Sequence, residues 1–468
     1  MEARLILALI PYSILDTPRA PKRTNDTERA MIVPESCWKE RRDGVKKANG
    51  LILSRGPDLR PSQNGKTQQP LEGYRVLDLS GPLGVFCGKL MADMGADVIK
   101  VEPPGGDPMR GIGPFLAHRP HLEQSLHWLH FNTNKRSITL DIATADGATL
   151  LGRLAREADV LLETFPPGYM DSRGLGYGHL EVNNPGLVYA SLTPFGQTGP
   201  YKDFKASDLI GFAMGGYMYV TGWPDTPPTR LWGSQAYHTA SNRAYIAILV
   251  ALYHRLATGL GQMVDVSMQE AVAATTEHVN TAYNYEGTPA VRCGFRHGGQ
   301  FVATWPCKDG YVSITTNTQQ AWDDLRAWMD RDGMAGDLMT EKYDERFILR
   351  GDLSGHIEEL IQTWTLLHTR QEITDWGQAY HHPWGPVLTS EELLGNEQLW
   401  DRGYFTEIED QQYGDTLVYP GAPYKLSQSP WRLSHPAPSV GQHNVEIFCG
   451  ELGLSEGGLE ALSGAGVI

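Results

Sequence analysis

A few side chains in this sequence have the chemistry for proton transfer. Tyr237 and His238 stand at the entrance to a long helical pattern, where the helix dipole disfavours a protonated imidazole and leaves His238 a candidate general base. A purely structural histidine is the more common occupant of such a position. Glu163 and Asp208 lie near the ends of predicted strands, where capping or ion pairing is the ordinary role of a carboxylate. These residues alone define no reaction.

Three segments have the composition of ligand-binding loops. The turn at residues 80–84 (SGPLG) could present backbone N–H groups to a phosphate, although many such turns carry glycine only for tightness. The basic pair Lys135 and Arg136 could also meet a phosphate, but a solvated loop pair is the more common case. Residues 297–300 (HGGQ) form a donor-rich loop at a predicted domain boundary, which is either part of a ligand cleft or an ordinary hinge.

The composition excludes several classes of protein. The 468 residues include 40 basic and 55 acidic side chains, a formal net charge of −15, and no basic cluster, so nucleic acid is a poor partner. No stretch approaches the roughly 20 apolar residues of a membrane span, and no secretory signal pattern stands near residue 1. The five cysteines are widely spaced, which argues against a metal site and predicts reduced thiols in a cytoplasmic protein.

Hydrophobic periodicity predicts alternating strands and helices from about residue 71. Predicted strands occupy residues 74–80, 96–102, 137–141, 159–163, 186–192 and 262–267. A helix over residues 85–94 joins the first two strands, another opens at Thr144 or Asp146, and a longer one runs from an N-cap at Thr239 to Gly259. This order predicts an α/β fold with a mostly parallel sheet covered on both faces.

The pattern changes in the last third of the chain. Between residues 294 and 400, short strand-like pieces alternate with helices rich in tryptophan and charge, which predicts a second, smaller unit. The chain from Tyr404 ends in a helical pattern at residues 457–462 that could return to the first unit. We therefore predict an irregular extension over residues 1–70, a large domain over 71–290, a small domain over 291–400 and a return to the large domain over 401–468.

Several strings in a fixed order resemble class III coenzyme A (CoA) transferases, the formyl-CoA and carnitine CoA-transferase family. In the first part of the chain they are LEGYRVLD (71–78), GADVIKVEPP (95–104), GDPMR (106–110) and NTNKRSI (132–138). The resemblance continues in FPPG (165–168), GLGY (174–177), FGQTGPY (195–201) and TGLGQMVDV (258–266). It covers the chain from about residue 71 to the last residue and leaves the first 70 residues outside.

The resemblance implies a Rossmann-like large domain built from both chain ends, an inserted small α+β domain, and two subunits interlocked as rings. It also implies a CoA thioester as substrate and no metal. By position, the family's CoA contacts and a phosphate-binding position fall on Pro82, Leu83, Leu140, Thr164, Phe165, Ser172, Lys205 and Ser207. The loop of Gly298, Gly299 and Gln300 resembles a shortened form of the glycine loop that closes over the acyl group.

Two kinds of departure separate this chain from the family pattern. Pro103 and Ser172 stand where the family often has arginines. The family's nucleophile is an aspartate that attacks the donor thioester and forms a mixed anhydride, and its position falls here on Tyr237. No Asp or Glu occurs between Asp225 and Asp265, and neither a phenol nor an imidazole forms the same series of intermediates.

Three functions are compatible with this combination. The first is a CoA-transferase subunit whose homologous partner supplies the aspartate, as in the two-chain benzylsuccinate CoA-transferase type, with a donor such as succinyl-CoA. The second is a stand-alone enzyme on CoA thioesters, lyase-like or hydratase-like, in which His238 or Tyr237 performs acid–base chemistry. The third is a CoA-thioester-binding protein without turnover. We favour the first, because the CoA motifs persist while one chemical group is absent.

Two finer expectations concern the chemistry at this position. The racemase branch of the family uses a His and Asp pair, but its His position falls on Ser207 and its Asp position again on Tyr237, so racemisation is unsupported. Trp232, Tyr237 and Tyr245 near the expected site would suit an aromatic acid, or they pack in the core. The sequence therefore leaves the acyl group open, and also whether the protein is a homodimer or a heteromer.

Overall fold

The computed structural model describes residues 68–277, 279–297, 300–345, 354–410 and 415–468, so nearly all of the predicted N-terminal extension lies outside the described residues. The strands are β1 Arg75–Leu79, β2 Asp97–Glu102, β3 Arg136–Thr139, β4 Val160–Glu163, β5 Val188–Thr193, β6 Met263–Ser267, β7 Arg296–His297, β8 Gln300–Cys307, β9 Gly310–Thr315, β10 Gly385–Pro386, β11 Phe405–Asp410 and β12 Asp415–Pro420. The α-helices are α1 Val85–Asp93, α2 Leu126–Phe131, α3 Ala145–Ala155, α4 Tyr177–Leu180, α5 Asp208–Met214, α6 Gln235–Thr258, α7 Met268–Ala273, α8 Val279–Glu286, α9 Gln319–Arg331, α10 Ser354–Thr365, α11 Arg370–Ala379, α12 Ser390–Leu394, α13 Glu397–Asp401 and α14 Glu456–Gly464. A π-helix spans Val445–Glu451, and short 3-10 helices include Asp171–Arg173.

Six strands form one parallel sheet in the order β3-β2-β1-β4-β5-β6. Its inner strands are buried on both faces, which explains their largely apolar sequences. Each strand predicted between residues 74 and 267 forms within about two residues of its predicted bounds. The predicted α/β class with a parallel sheet is therefore confirmed.

Successive residues of the central strands pack into two different hydrophobic layers, because side chains alternate across a sheet. Val76 of β1 lies in the layer that contains α1 and α6, whereas its neighbour Leu77 lies in the layer that contains α3. The second layer also includes Ile447 and Phe448 of the π-helix and the final residue, Ile468. Helices thus cover both faces of the sheet, and the end of the chain packs against the same core as its first strand.

The long helix α6 begins five residues before the predicted start. The prediction of Thr239 as its N-cap is wrong: the helix starts at Gln235, and the Thr239 hydroxyl donates instead to the Gln235 carbonyl at 2.7 Å. The predicted end at Gly259 is confirmed, with a left-handed φ of 75° that favours glycine. The early start places Tyr237 and His238 inside the first turn of the helix.

A second sheet is antiparallel, in the order β10-β9-β8-β7. Its own core contains side chains from α9, α10 and α11 and is rich in tryptophan, with Trp305, Trp322, Trp364 and Trp384 at most 1% exposed. A separate hairpin consists of β11 and β12. This second core agrees with the change of pattern read in the sequence, and the exact domain boundaries at residues 290 and 400 stay predictions.

Candidate functional site

A cavity of about 540 Å³ opens at the carboxyl ends of β1, β2, β3 and β4. Its wall includes Leu79 of β1, Glu102 of β2, Leu140 after β3 and Thr164 after β4. The strand order reverses between β1 and β4, and crevices at such points are the usual ligand sites of parallel α/β sheets. We therefore take this cavity as the candidate binding site.

Four of the predicted CoA contacts line this cavity together: Pro82, Leu140, Thr164 and Phe165. The Gly81 N–H donates to Thr164 Oγ1 at 2.8 Å, which ties the loop after β4 to the turn before α1. The Phe165 ring stacks on a further wall residue, Tyr169, with ring centroids 4.5 Å apart and planes inclined by 15°. The fold thus brings three distant segments into one wall, and their contact with CoA stays a prediction.

The turn at residues 80–84 is held tightly against its surroundings. A Cβ added at Gly84 would lie 2.7 Å from Ser80 Cβ and 2.9 Å from Thr164 Cγ2, so no larger residue fits there without movement. Leu83, another predicted contact, is buried, and its carbonyl accepts a hydrogen bond from Ser241 Oγ at 2.7 Å. Ser241 lies on α6, so this bond joins the turn to the helix that carries Tyr237 and His238.

Three other predicted contacts are exposed and are not among the wall residues of this cavity: Ser172, Lys205 and Ser207. Ser172 Oγ donates to the Tyr169 carbonyl at 2.7 Å, so it stabilises the loop behind the wall. Ser207 immediately precedes α5. The roles of these three residues toward a ligand remain predictions.

Arg173 is a cation at this site that the sequence pattern did not reveal. Its guanidinium carbon lies 3.6 Å from the centroid of the Tyr169 ring, and its Nη1 donates to the Tyr169 carbonyl at 3.1 Å. This position follows directly after Ser172, where the family arginine is missing. The sequence offered one signal for this cation, namely that an arginine, Arg173, directly follows Ser172. The chain therefore keeps a positive charge beside the cavity wall, displaced by one residue.

Two carboxylates in the cavity wall, Glu102 and Asp107, are paired with buried cations. Glu102 binds Arg110 through two hydrogen bonds, from Nε at 2.7 Å and from Nη2 at 2.8 Å. Asp107 forms an ion pair with Lys100 Nζ at 3.1 Å. Both cations are fully buried. These pairs remove the repulsion that bare carboxylates would exert on an anionic ligand.

Both sequence interpretations of the basic pair Lys135 and Arg136 are wrong. Lys135 is buried, and its Nζ donates to Asp78 Oδ2 at 2.9 Å beneath the turn at residues 80–84. Burial opposes ionisation of Asp78, but Lys135 and Lys100 outweigh it and lower the Asp78 pKa. Arg136 pairs with Asp97 at 2.6 Å and with two carboxylates of the C-terminal π-helix. The pair therefore stabilises the fold and offers no free cation to a phosphate.

Tyr237 and His238 lie in the first turn of α6, and His238 has an aromatic environment. The His238 ring packs against Phe86 and Phe131, with centroid distances of 5.0 and 5.5 Å. Burial lowers the pKa of His238, although Asp208 acts in the opposite direction. Burial also raises the pKa of Tyr237. Both side chains are therefore predominantly neutral at pH 7, and neither supplies the negative charge of the family nucleophile.

Two further histidines on α2 join this aromatic cluster and were missed in the sequence. The rings of His127 and His130 lie 4.8 and 4.6 Å from the ring of Phe131. Burial lowers the pKa of His127 and lowers that of His130 to about 4. Their three-residue spacing on one helix was the signal that could have paired them. His238, the neighbour of Tyr237, thus lies in a cluster of neutral imidazoles and aromatic rings.

Asp208 has the capping role that the sequence suggested for it. Its Oδ1 accepts hydrogen bonds from the backbone N–H groups of Ala236 at 2.8 Å and Tyr237 at 3.2 Å. A carboxylate at a helix N-terminus is favoured by the dipole and satisfies otherwise unpaired N–H groups. Asp208 therefore stabilises the start of α6, and this explains why the helix begins without a Thr239 cap.

Other predictions meet the limits of the described chain. Gly298 and Gly299 lie outside the described residues, as does the side chain of Gln300, so the acyl loop stays a prediction. Within the described ranges, no group of three or more His, Cys, Asp or Glu side chains is arranged to hold a metal ion. No helix in the same ranges is long and apolar enough to span a membrane.

Sequence comparison identifies relatives over most of the chain. A sequence model described as CoA-transferase family III matches residues 71–444. The chain is 33% identical over 392 residues to the succinyl-CoA:(R)-benzylsuccinate CoA-transferase subunit BbsE of Thauera aromatica, with 82% of this chain and 95% of the relative covered. It is 37% identical over 404 residues to the succinyl-CoA--D-citramalate CoA-transferase of Chloroflexus aurantiacus, with 86% and 98% covered.

Structural comparison gives the same result. The crystal structure of a CAIB/BAIF family protein from Brucella suis matches with a TM-score of 0.73 and 29% identity, covering 82% of this chain and 99% of the other. The fold, the cavity at the sheet edge and the sequence relatives point to one assignment. The chain belongs to CoA-transferase family III.

Proposed function

We propose that this chain is a subunit of a class III CoA-transferase that moves CoA from a donor such as succinyl-CoA to a carboxylic acid. The observation that carries the proposal is a contrast within the site. Four predicted CoA contacts line one cavity, whereas Tyr237 occupies the position of the nucleophilic carboxylate. A homologous partner subunit supplies the missing aspartate in this proposal.

The cavity supports the binding half of the proposal. Its volume lies within the range of about 300 to 1,000 Å³ that is usual for small-molecule sites. Leu79, Pro82 and Leu140 offer an apolar wall for the pantetheine arm. Arg173 beside Tyr169, together with the exposed Lys205, would bind phosphate groups at its edge.

The chemical half of the proposal follows the family mechanism. The partner's aspartate attacks the donor thioester carbonyl and the C–S bond breaks. CoA departs as the thiolate, and the aspartate and the acyl group remain joined as a mixed anhydride. The thiolate then attacks the aspartyl carbonyl, which releases the donor acid and forms an enzyme thioester. The acceptor carboxylate attacks that thioester, which again frees the thiolate and joins the acceptor to the aspartate as an anhydride. The thiolate finally attacks the acceptor carbonyl of this anhydride, which forms the new CoA thioester and restores the aspartate. This chain binds and positions a CoA thioester and lends no nucleophile.

Asp208 is the carboxylate that could have replaced the missing group, and its contacts argue against that role. It lies 8% exposed at the start of α6 and accepts two backbone hydrogen bonds there. Arg230 Nη1 lies 3.5 Å from its other oxygen. A carboxylate held by these donors is stabilised as a cap, which lowers its nucleophilicity.

Relatives and surface composition support a partner subunit. BbsE and the succinyl-CoA--L-malate CoA-transferase alpha and beta subunits of Chloroflexus aurantiacus are named as subunits, the latter two at 31% and 32% identity. On α6, Ile246, Val250 and Tyr253 are 52%, 61% and 77% exposed at helical spacing. Such an apolar stripe marks a surface that another protein covers. The proposal includes an interlocked pair in the cytoplasm, formed with the homologue.

Reconstitution tests the proposed function. The chain is purified alone and together with an aspartate-bearing homologue, and CoA transfer from succinyl-CoA to a panel of aliphatic and aromatic acids is measured. We expect transfer by the pair and none by this chain alone. Replacing the partner's aspartate with alanine should abolish transfer, and Tyr237→Asp in this chain should restore little or none. Robust transfer by this chain alone would contradict the proposal.

One observation favours a second candidate, a stand-alone enzyme that uses His238 as a base. Burial holds His238 in the neutral form that accepts a proton. In that case His238→Ala should lower the turnover of a CoA thioester by about 100-fold or more. A near-neutral effect of the same substitution in the pair would exclude it.

A further inference from the structure

A second, smaller cavity shares the loop after β4 with the CoA cavity. Its volume is about 130 Å³, and Glu163, Pro166 and Gly168 contribute to its wall. Thr164, Phe165 and Tyr169 of the same loop line the CoA cavity instead. The loop at residues 164–169 therefore separates the two cavities, and a group that fixes the loop from the small side also fixes the wall on the large side.

Glu163 holds this loop from within the small cavity. Glu163 is only 3% exposed, and its Oε2 accepts a hydrogen bond from the Phe165 N–H at 2.6 Å. The Ser191 hydroxyl also bonds to the Glu163 carboxylate and in turn accepts from Gln197 Nε2 at 2.7 Å. The carboxylate thus connects the end of β4, the middle of β5 and the backbone of Phe165.

We propose that Glu163 is a positioning residue of the CoA cavity, whose ionised carboxylate holds residues 164–169 in the binding conformation and whose protonation weakens that hold. The inference rests on the proposed CoA-binding function of the larger cavity. It assigns Glu163 a role that goes beyond capping or ion pairing. Glu163 acts through Thr164 and Phe165, without contact to the ligand.

The surroundings of Glu163 place its titration in the physiological range. Its pKa is raised to about 7, mainly by burial and in part by repulsion from Asp171 and Asp265, against the Ser191 and Phe165 hydrogen bonds. Tyr177 and Tyr189 also line the small cavity and stay neutral, because burial raises the pKa of each. None of the described side chains in the wall of the small cavity is basic.

The sign of the expected effect follows from the hydrogen bond. An ionised carboxylate accepts from an N–H group about twice as strongly as a neutral acid does. The Phe165 N–H is therefore held firmly above about pH 7 and loosely below it. CoA affinity should fall as the pH decreases from about 8 to about 6. Direct repulsion between Glu163 and the CoA phosphates would give the opposite slope.

Calorimetric titration of the folded complex with CoA across this pH range tests the inference. For the parent protein we expect Kd to rise about tenfold as the pH falls from about 8 to about 6. Glu163→Gln keeps the shape but is neutral, so it should bind weakly at both pH values with a flattened profile, and its residual slope reports the ligand's own titration. Asp171→Asn removes a like charge, so it should shift the step to lower pH and keep its size.

A measurement without ligand separates this inference from the proposed function. Amide hydrogen exchange of the peptide at residues 164–170, corrected for the intrinsic rate, should show protection lost below about pH 7 in the parent protein and no such step in Glu163→Gln. Tighter binding by Glu163→Gln, or exchange without a step in the parent protein, would overturn the role of Glu163. An exchange step in a protein that binds no CoA would instead refute the proposed CoA site.

Discussion

The hydrogen bond from Ser241 to Leu83 joins the helix α6 to the carboxyl edge of the parallel sheet, yet this edge and the first turn of α6 differ in what they preserve. At the sheet edge, buried ion pairs such as Asp78 with Lys135 stabilise the turn and the cavity wall. At α6, His238 lies among aromatic rings, and the proposed nucleophile position, Tyr237, falls in a stretch without Asp or Glu. A binding site depends on backbone shape supported by many contacts, whereas the transfer chemistry depends on one group. The two can therefore be separated in evolution.

The largest effect is expected from removing the buried charge beneath the turn. Asp78→Ala leaves the Lys135 cation without a carboxylate partner in the core and leaves Lys100 paired with Asp107 alone, which should lower the free energy of unfolding by about 3 to 5 kcal/mol. Urea denaturation measures the loss. Asp97→Ala is the matched control, since Asp97 is 34% exposed in its side chain and should cost about 1 kcal/mol or less. Equal losses of unfolding free energy in both variants would contradict the claim that the buried ion pair stabilises the turn more than the exposed one does.

The pH dependence of stability sharpens the account of Glu163. Its folded pKa of about 7 lies above the ordinary glutamate value of 4.5, so the native state binds this proton more tightly than the unfolded state does. The stability that it contributes is fully present below about pH 4.5 and is lost as the pH rises through about 7. The difference of 7 − 4.5 pKa units corresponds to a change on the order of 3 kcal/mol.

Urea denaturation at about pH 5 and about pH 8 checks this linkage. Relative to the parent protein, Glu163→Gln should gain stability as the pH rises, because glutamine carries no buried charge. Taking the difference between the two proteins cancels the titration of all other groups. A difference that is constant with pH would show that Glu163 titrates as it does in the unfolded chain.

A smaller effect is expected from two cations that are not among the wall residues of the CoA cavity. Arg173→Ala and Lys205→Ala should each weaken CoA binding by about tenfold or more, because each removes a cation proposed to contact phosphate. Calorimetry of the assembled complex measures both. Lys202→Ala, in the same exposed loop as Lys205, is the control for charge alone and should change Kd by less than about threefold.

The smallest effect is expected at the first turn of α6. Tyr237→Phe and His238→Ala should leave turnover of the assembled pair within a few-fold of the parent value, because Tyr237 packs against the hydrophobic core and His238 fills space among aromatic rings. Steady-state transfer assays with matched amounts of assembled protein measure the effect. If His238→Ala lowered turnover by about 100-fold in a folded, assembled pair, the result would show that this chain takes part in the chemistry.

Local patterns predicted most of the sheet, because short strand-forming runs such as VIKV in β2 are recognisable without distant partners. The start of α6 was missed because its cap, Asp208, lies far from the helix in sequence. The burial of Lys135 was missed for the same reason, since its partner Asp78 stands 57 positions away. Long-range pairing is invisible to a pattern read along the chain.

The site was predictable where a motif fixes the backbone and less so where one side chain matters. Pro82, Leu140, Thr164 and Phe165 came from the family resemblance, and the fold places them in one wall. Arg173 escaped because its position over Tyr169 depends on the conformation of a short helix. The substitution at Tyr237 was visible directly, since the absence of a carboxylate needs no structure.

The location of the covalent intermediate tests the central claim most directly. The assembled pair is incubated with succinyl-CoA and hydroxylamine, which converts an activated aspartyl group to its hydroxamate, and both subunits are mapped by mass spectrometry. The account predicts a hydroxamate on the partner's aspartate and none on this chain, with Asp208 unmodified. A hydroxamate on Asp208, or on any carboxylate of this chain, would contradict the claim that it lends no nucleophile.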